Sequence, residues 1–123
     1  MNWSYSAGRT FAACPRRWFY RTVVAHHAAK DPARRTAYLL GKLDSLWSWR
    51  GRLVDEVVSQ GALPQLAAGA VPDLGTLLTA ARARFSAQLE FARLHRLSEP
   101  GLRPSAHPDF LALQDLEAGT PPT

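Results

Sequence analysis

The chain has 123 residues, of which 46% are hydrophobic and 20% are charged, a balance that excludes wholesale disorder and fits a single domain. The formal charge is +5, and it is unevenly distributed. Residues 1–60 carry ten Lys or Arg against four Asp or Glu, whereas residues 61–123 carry five against six. All but two of these cations are arginine, whose planar guanidinium binds phosphate and stacks on rings, so the composition favours a phosphate-bearing partner. A GC-rich genome that encodes Arg in place of Lys explains the same bias equally well.

A single cysteine excludes an internal disulfide and any four-cysteine metal site made by this chain alone. The sequence contains no apolar run of about 20 residues, the length that a membrane-spanning helix needs. It also lacks a basic segment followed by an apolar one at its start, the pattern of a secretory signal. We therefore expect a cytoplasmic protein with no membrane partner.

The N-terminal residues 1–25 predict two short helices. Ser4 or Ser6 can cap a first helix that runs toward Cys14. Pro15 fits the first turn of a second helix, where its missing N–H removes no hydrogen bond. Residues 26–36 are predicted to be a polar connection.

The remainder predicts further helices and no strand. Apolar residues recur at helical spacing over residues 37–60, and Gly61 is a natural stop. Asp73 begins a second amphipathic pattern, and no stretch alternates between polar and apolar residues. The expected fold is all-α, a single helical domain of about four to five helices. Its later parts are a helix over 37–60, a linker over 61–72, an amphipathic helix over 73–97, a short helix over 107–119 and a tail over 120–123.

Two motifs resemble one enzyme superfamily. Ser4-Tyr-Ser, followed by Cys14-Pro-Arg-Arg-Trp-Phe-Tyr-Arg, resembles the opening of RecB-like domains of the PD-(D/E)XK nuclease superfamily, which includes CRISPR-associated and AddB-type exonucleases. A later helix of that family carries Gly-x-x-x-His, and here Gly51 is followed by Asp55 at the histidine position. The resemblance implies the N-terminal helical portion of an α/β restriction-endonuclease-like domain whose sheet is missing.

The family hydrolyses phosphodiesters with Mg²⁺ or Mn²⁺, held by an Asp and a Glu-x-Lys motif on adjoining strands. This chain has only Lys30 and Lys42, neither with an acid two residues earlier, so the resemblance implies no catalytic residue and no nuclease activity of the isolated chain. Asp55 could be a metal ligand by its position, although a solvated or ion-paired acid is the favoured interpretation. Cys14 stands where some members bind an iron–sulfur cluster, but without other cysteines a buried structural thiol is favoured.

The candidate nucleic-acid-binding residues are cations and rings of the first motif. Arginines at these spacings could follow a nucleic-acid backbone while one ring stacks on a base. The alternative is that the rings form a core and the arginines line its rim. Of the three consecutive aromatics 18–20, we expect two buried and one partly exposed. The candidates are Arg9, Arg16, Arg17, Arg21, Trp18 and Tyr20.

The sequence therefore predicts a truncated or degenerate member of the nuclease superfamily that works in DNA repair, recombination or defence. Its expected partners are single-stranded DNA or a duplex end, and the remainder of the nuclease domain or a partner protein. Two alternatives are a stand-alone basic α-helical module that binds nucleic acid, and an interaction protein whose exposed aromatics dock on a partner.

Overall fold

The computed structural model describes residues 3–119, and these residues are mostly helical, as the sequence predicts. They divide into two compact units with a boundary between Lys42 and Leu43, where the sequence predicts one domain. We refer to them as the N-terminal unit and the C-terminal unit. Each has its own aromatic contacts: Trp3, Phe11 and Trp18 in the first, Trp49 and Phe85 in the second.

The N-terminal unit begins with the two predicted helices, α1 (Tyr5–Ala13) and α2 (Pro15–Phe19). Ser4 caps α1, since its Oγ accepts a hydrogen bond from the Ala7 N–H at 3.1 Å. Pro15 occupies the first turn of α2, and the helical path continues through one π-helical turn, Tyr20–Val24. The predicted caps and the predicted break between the helices are confirmed.

Cys14 joins these two helices and is exposed, so the prediction of a buried thiol is wrong. Its N–H donates to the Thr10 carbonyl at the end of α1. Its Sγ accepts from the Arg17 N–H at 3.4 Å and so caps α2. An N-cap side chain turns back along the outside of its helix, which keeps the thiol at the surface.

The single helix that the sequence predicts over 37–60 is wrong, because the chain forms α3 (Pro32–Leu40), a turn and α4 (Leu46–Val57) there. Asp31 caps α3 by accepting from the Arg34 N–H at 3.0 Å. The helix therefore starts inside the stretch predicted to be a polar connection. Ser45 caps α4 in the same way, through the Ser48 N–H at 3.1 Å. Two strong start signals thus override one continuous apolar pattern.

In the C-terminal unit, α4 does not stop at Gly61. It passes through a π-helical turn, Val58–Ala62, into α5 (Leu63–Ala67), so part of the predicted linker is helical. A Cβ placed on Gly61 would come within 2.8 Å of Leu77 Cδ2. Gly61 therefore permits a close approach of this segment to Leu77, in the helix that begins at Leu74, and does not end the helical path.

Helix α6 (Leu74–Arg93) is the longest element and begins as predicted, with Asp73 as its N-cap. It ends earlier than predicted, because His95 takes a left-handed conformation with φ 51°. Two 3₁₀ turns follow, Arg96–Ser98 and Pro104–Ala106.

The unit also contains strands that the sequence does not predict. β1 (Leu43–Asp44) pairs in parallel with β2 (Ala112–Leu113), with Leu43 opposite Ala112 and Asp44 opposite Leu113. The helix predicted over 107–119 is reduced to α7 (Gln114–Glu117). Segments of two residues cannot show the alternation by which strands are recognised, so the strict all-α prediction needs this correction.

The core of the C-terminal unit centres on Trp49 of α4. Its ring stacks on Phe85 of α6 at a centroid distance of 4.8 Å, and Leu113 beside it is completely buried. The indole N–H of Trp49 donates to Oε1 of the buried Gln88 at 2.7 Å. This bond gives a polar partner to each of two groups that burial would otherwise leave unsatisfied.

Replacing Trp49 by Phe should lower the free energy of unfolding by about 1–3 kcal/mol, because the ring is kept in part while Gln88 loses its donor. The matched control is Trp47→Phe, since Trp47 is 72% exposed on the same helix, and we expect it to stay within about 0.5 kcal/mol of the unchanged protein. Urea unfolding followed by circular dichroism measures both. Equal effects of the two substitutions would contradict this assignment.

The N-cap of α6 should give a pH-dependent contribution to stability. The Thr76 hydroxyl, and then its backbone N–H, donate to Asp73 and hold the pKa of that carboxyl below its ordinary value of 3.8. A lowered pKa stabilises the folded protein above pH 3.8, and this contribution disappears as the pH falls through the lower, folded-state value. Asp73→Asn keeps an N-cap acceptor but cannot titrate. Its difference in Tm from the unchanged protein should be constant near neutral pH and should shrink below pH 3.8.

Candidate nucleic-acid interface

The charge of the chain separates at the boundary between the two units. Residues 1–42 contain eight Lys or Arg and a single acid, Asp31, which gives a formal charge of +7. Residues 43–123 contain seven Lys or Arg and nine Asp or Glu, which gives −2. The excess of positive charge therefore belongs to the N-terminal unit alone.

Three rings organise that unit. Trp18 of α2 lies edge-to-face with Phe11 of α1 at 5.3 Å and in a tilted arrangement with Trp3 at 5.7 Å. Gly8 allows Trp3 to lie against α1, since a Cβ there would come within 3.2 Å of the Trp3 indole nitrogen. These contacts hold α1 and α2 together.

Of the three consecutive aromatic residues 18–20, two are exposed and one is half-buried. Trp18 is half-buried in the ring cluster, whereas Phe19 and Tyr20 are 46% and 47% exposed. The expectation of two buried rings and one partly exposed ring is therefore wrong. α2 is short and packs mainly on α1, so only the ring facing α1 is covered. Phe19 is an additional exposed ring, at 5.8 Å from Tyr20.

Four arginines surround these rings: Arg9, Arg16, Arg17 and Arg21, all of them exposed. None of the four forms an ion pair within residues 3–119. The Arg16 guanidinium lies over the Tyr20 ring at 5.9 Å, so a cation is next to a ring that is about half exposed. Arg9 lies on α1, apart from the other three on α2 and the π-helical turn.

The arginines of α3 have a different role. Arg34 Nε donates to the Val24 carbonyl at 3.0 Å, and an Arg35 guanidinium nitrogen donates to the His27 carbonyl at 2.8 Å. These bonds fix the connection between the π-helical turn and α3. Tyr38 lies near two cations, Arg35 at 5.3 Å and Lys42 at 5.2 Å, which stand three residues before it and four after it, the spacing of neighbours on one helix face.

Asp55, the candidate metal ligand, is exposed on α4. Its neighbour Glu56 accepts from Arg84 Nε at 3.0 Å, and the same guanidinium binds Asp109 at 2.5 Å and the Pro108 carbonyl at 2.7 Å. Residues 3–119 contain no group of three or more His, Cys, Asp or Glu that could hold a metal ion. Asp55 and the acids bound to Arg84 therefore do not fit the Mg²⁺ or Mn²⁺ site of the nuclease family.

The four histidines have partners of their own. His26 and His27 stack at 4.6 Å, and His26 Nδ1 accepts from the Ala28 N–H. His95 lies 3.4 Å from a Glu117 carboxylate oxygen, and His107 packs on Phe91 at 5.3 Å.

The C-terminal unit has an apolar groove of about 370 Å³ between α4 and α6. Trp47 at its edge is largely exposed and carries the Arg50 guanidinium 4.4 Å above its ring. The other lining residues are Leu46, Trp49, Leu53, Phe85 and Leu89.

Comparison with protein-family models, with curated proteins and with solved structures found no match to this chain. Within the described part of the chain, no helix has both the length and the apolar character needed to cross a membrane.

The bonds of Arg84 predict a local contribution to stability. Arg84→Met keeps most of the side-chain volume but leaves Glu56 and Asp109 without their common partner, and we expect a loss of about 1–2 kcal/mol in the free energy of unfolding. Arg82→Met is the control, because Arg82 is exposed on the same helix and is unpaired within residues 3–119. Chemical unfolding of both variants checks this, and a loss for Arg82→Met as large as for Arg84→Met would contradict it.

Proposed function

We propose that this protein binds single-stranded nucleic acid through its N-terminal unit, as a non-catalytic helical part of a RecB-like nuclease domain. The observation that carries the proposal is the set of four exposed arginines that form no ion pair within residues 3–119, on a unit of charge +7. An arginine without a carboxylate partner keeps its full capacity to bind a phosphate.

The exposed rings favour a single strand over an intact duplex. Phe19 and Tyr20 are accessible, and Arg16 lies beside Tyr20. A base can stack on such a ring only when it has left its own helical stack, and each stacked base contributes about 1–3 kcal/mol. Trp18, in contrast, is held by Phe11 and Trp3, so Tyr20 and Phe19 replace it as the stacking candidates.

The proposal of a DNA-processing context rests on the two motifs. The Cys14-Pro15 motif lies at the junction of α1 and α2, and three of the four arginines follow it on α2 and the π-helical turn. Asp55 is exposed on α4, and its neighbour in sequence, Glu56, pairs with Arg84. The proposed role is therefore to hold a DNA strand, with no part in cleaving it.

Binding of a fluorescent oligo-dT should weaken steeply with salt, because each arginine–phosphate contact releases a counterion. Substituting both Arg16 and Arg17 by Ala should reduce the slope of log K against log salt by about 1.4, since each contact to a single strand contributes about 0.7. Fluorescence anisotropy at several salt concentrations measures the slope.

The matched control is the double variant Arg82→Ala and Arg103→Ala, which removes the same charge from exposed positions of the C-terminal unit. We expect its slope to equal that of the unchanged protein. Salt-independent binding, or an equal reduction in both double variants, would refute the proposal. Hydrolysis of the oligonucleotide in Mg²⁺ or Mn²⁺ by purified protein would contradict the non-catalytic part.

A further inference from the structure

The apolar groove between α4 and α6 is a feature that the proposed function does not use. Every residue that lines it belongs to the C-terminal unit, whereas the proposed strand-binding residues belong to the N-terminal unit. Its volume of about 370 Å³ lies within the range of about 300–1,000 Å³ that is typical of sites for small molecules. The groove is therefore large enough to hold a ligand of its own.

Aromatic rings form much of this groove. The buried Trp49, whose ring stacks on Phe85 at 4.8 Å, forms its deepest part, and Trp47, which is 72% exposed, stands at its edge. The rest of the apolar lining is aliphatic and consists of Leu46, Leu53 and Leu89. Aromatic rings attract another flat ring in stacked or edge-to-face geometry, beyond the effect of burial alone. The lining thus favours a ligand with an aromatic body.

Among the described residues, Arg50 is the only charged group that lines the groove. Its guanidinium lies over the Trp47 ring at 4.4 Å, and this attraction holds the group at the groove without neutralising its charge. Arg50 forms no ion pair within residues 3–119, although acids outnumber bases in the C-terminal unit. The groove therefore combines an apolar lining with one unneutralised positive charge.

A ligand that complements both features has an apolar body and an attached anionic group. The guanidinium fork of Arg50 matches the two oxygens of a carboxylate, which lie in one plane. One arginine also balances the single charge of a carboxylate. A phosphate monoester carries about 1.5–2 negative charges at neutral pH and would stay partly uncompensated beside apolar side chains. The charge of the groove thus favours a carboxylate over a phosphate.

We infer that this groove binds a small aromatic carboxylate, with its ring between α4 and α6 and its carboxylate on Arg50. The lining on α4 extends from Leu46 to Leu53, about 10 Å along the helix axis. This length suits two fused rings that bear a carboxyl group. A stable protein partner covers about 800 Å², far more than a groove of this length presents. The inference goes beyond strand binding and does not depend on it.

Sodium naphthoate is the probe, and nuclear magnetic resonance of the indole N–H groups is the readout. The signals of Trp47 and Trp49 are identified as those that Trp47→Phe and Trp49→Phe remove. Titration of the unchanged protein with naphthoate should shift both signals, and sodium acetate at equal ionic strength should shift neither. Naphthalenemethanol has the same rings without the charge, so it should bind about tenfold more weakly.

Substitution of Arg50 tests the role of its charge. Arg50→Met should weaken the binding of naphthoate about tenfold and should leave the binding of naphthalenemethanol unchanged. Arg50→Lys should recover part of the loss, because lysine restores the charge but not the planar fork. The matched control is Arg103→Met, since Arg103 is exposed in the same unit and does not line the groove. We expect its affinity for naphthoate to equal that of the unchanged protein.

Equal affinities for naphthoate and naphthalenemethanol, or equal losses in Arg50→Met and Arg103→Met, would overturn the inference. So would a failure of naphthoate to shift the two signals, and further titrations then identify the occupant. A Trp47 signal that moves on dilution of the free protein assigns the groove to a second copy of the chain. A shift with an amphipathic helical peptide of leucine and glutamate assigns it to a protein partner, and a shift with oligo-dT assigns it to a base of the strand.

Discussion

The edge-to-face contact between Phe11 and Trp18 is the interaction on which the packing of the N-terminal unit depends. α1 and α2 have nine and five residues, lengths at which an isolated helix is unstable in water. Their stability must come from packing, and Phe11, Trp18 and Trp3 supply the ring contacts between them. Once Trp18 faces α1, helical geometry turns its neighbours outward. The exposure of Tyr20 and of the arginines around it follows from that one contact.

The two units use arginine in opposite ways. In the C-terminal unit Arg84 binds Glu56 and Asp109, and Arg96 binds Glu99, whose pKa is held below its ordinary value by that hydrogen bond. There the guanidinium groups connect elements of the fold. In the N-terminal unit, eight Lys or Arg stand against one acid, Asp31, which caps a helix. Such an excess of like charge destabilises the compact state through repulsion. The charge excess is therefore not explained by a requirement for stability alone. A polyanionic partner would remove the repulsion on binding.

Much of the local structure could be predicted from the sequence because it is encoded within a few residues. Ser4, Pro15 and Asp73 each begin a helix as predicted, since a cap or an N-terminal proline acts through its immediate neighbours. The break after Leu40 cannot be predicted from apolar spacing, because that spacing continues across it. The helix starts are set instead by two N-caps, Asp31 before the apolar pattern and Ser45 within it. The pairing of Leu43 with Ala112 joins positions far apart in the chain, and no local pattern reports such a contact. For the candidate site, the sequence offers both Trp18 and Tyr20 beside the arginines, and which of the two rings stays exposed depends on the direction in which α2 packs.

The two buried indole N–H groups of the chain differ in what they contribute to stability. A Trp18 indole N–H left without an acceptor lowers the stability of the free protein, whereas the Trp49 indole N–H, which donates to Gln88, supports the core of its unit. Phenylalanine at position 18 would keep the ring contact with Phe11 and would remove the unsatisfied donor. A sequence shaped only for folding would therefore favour it there.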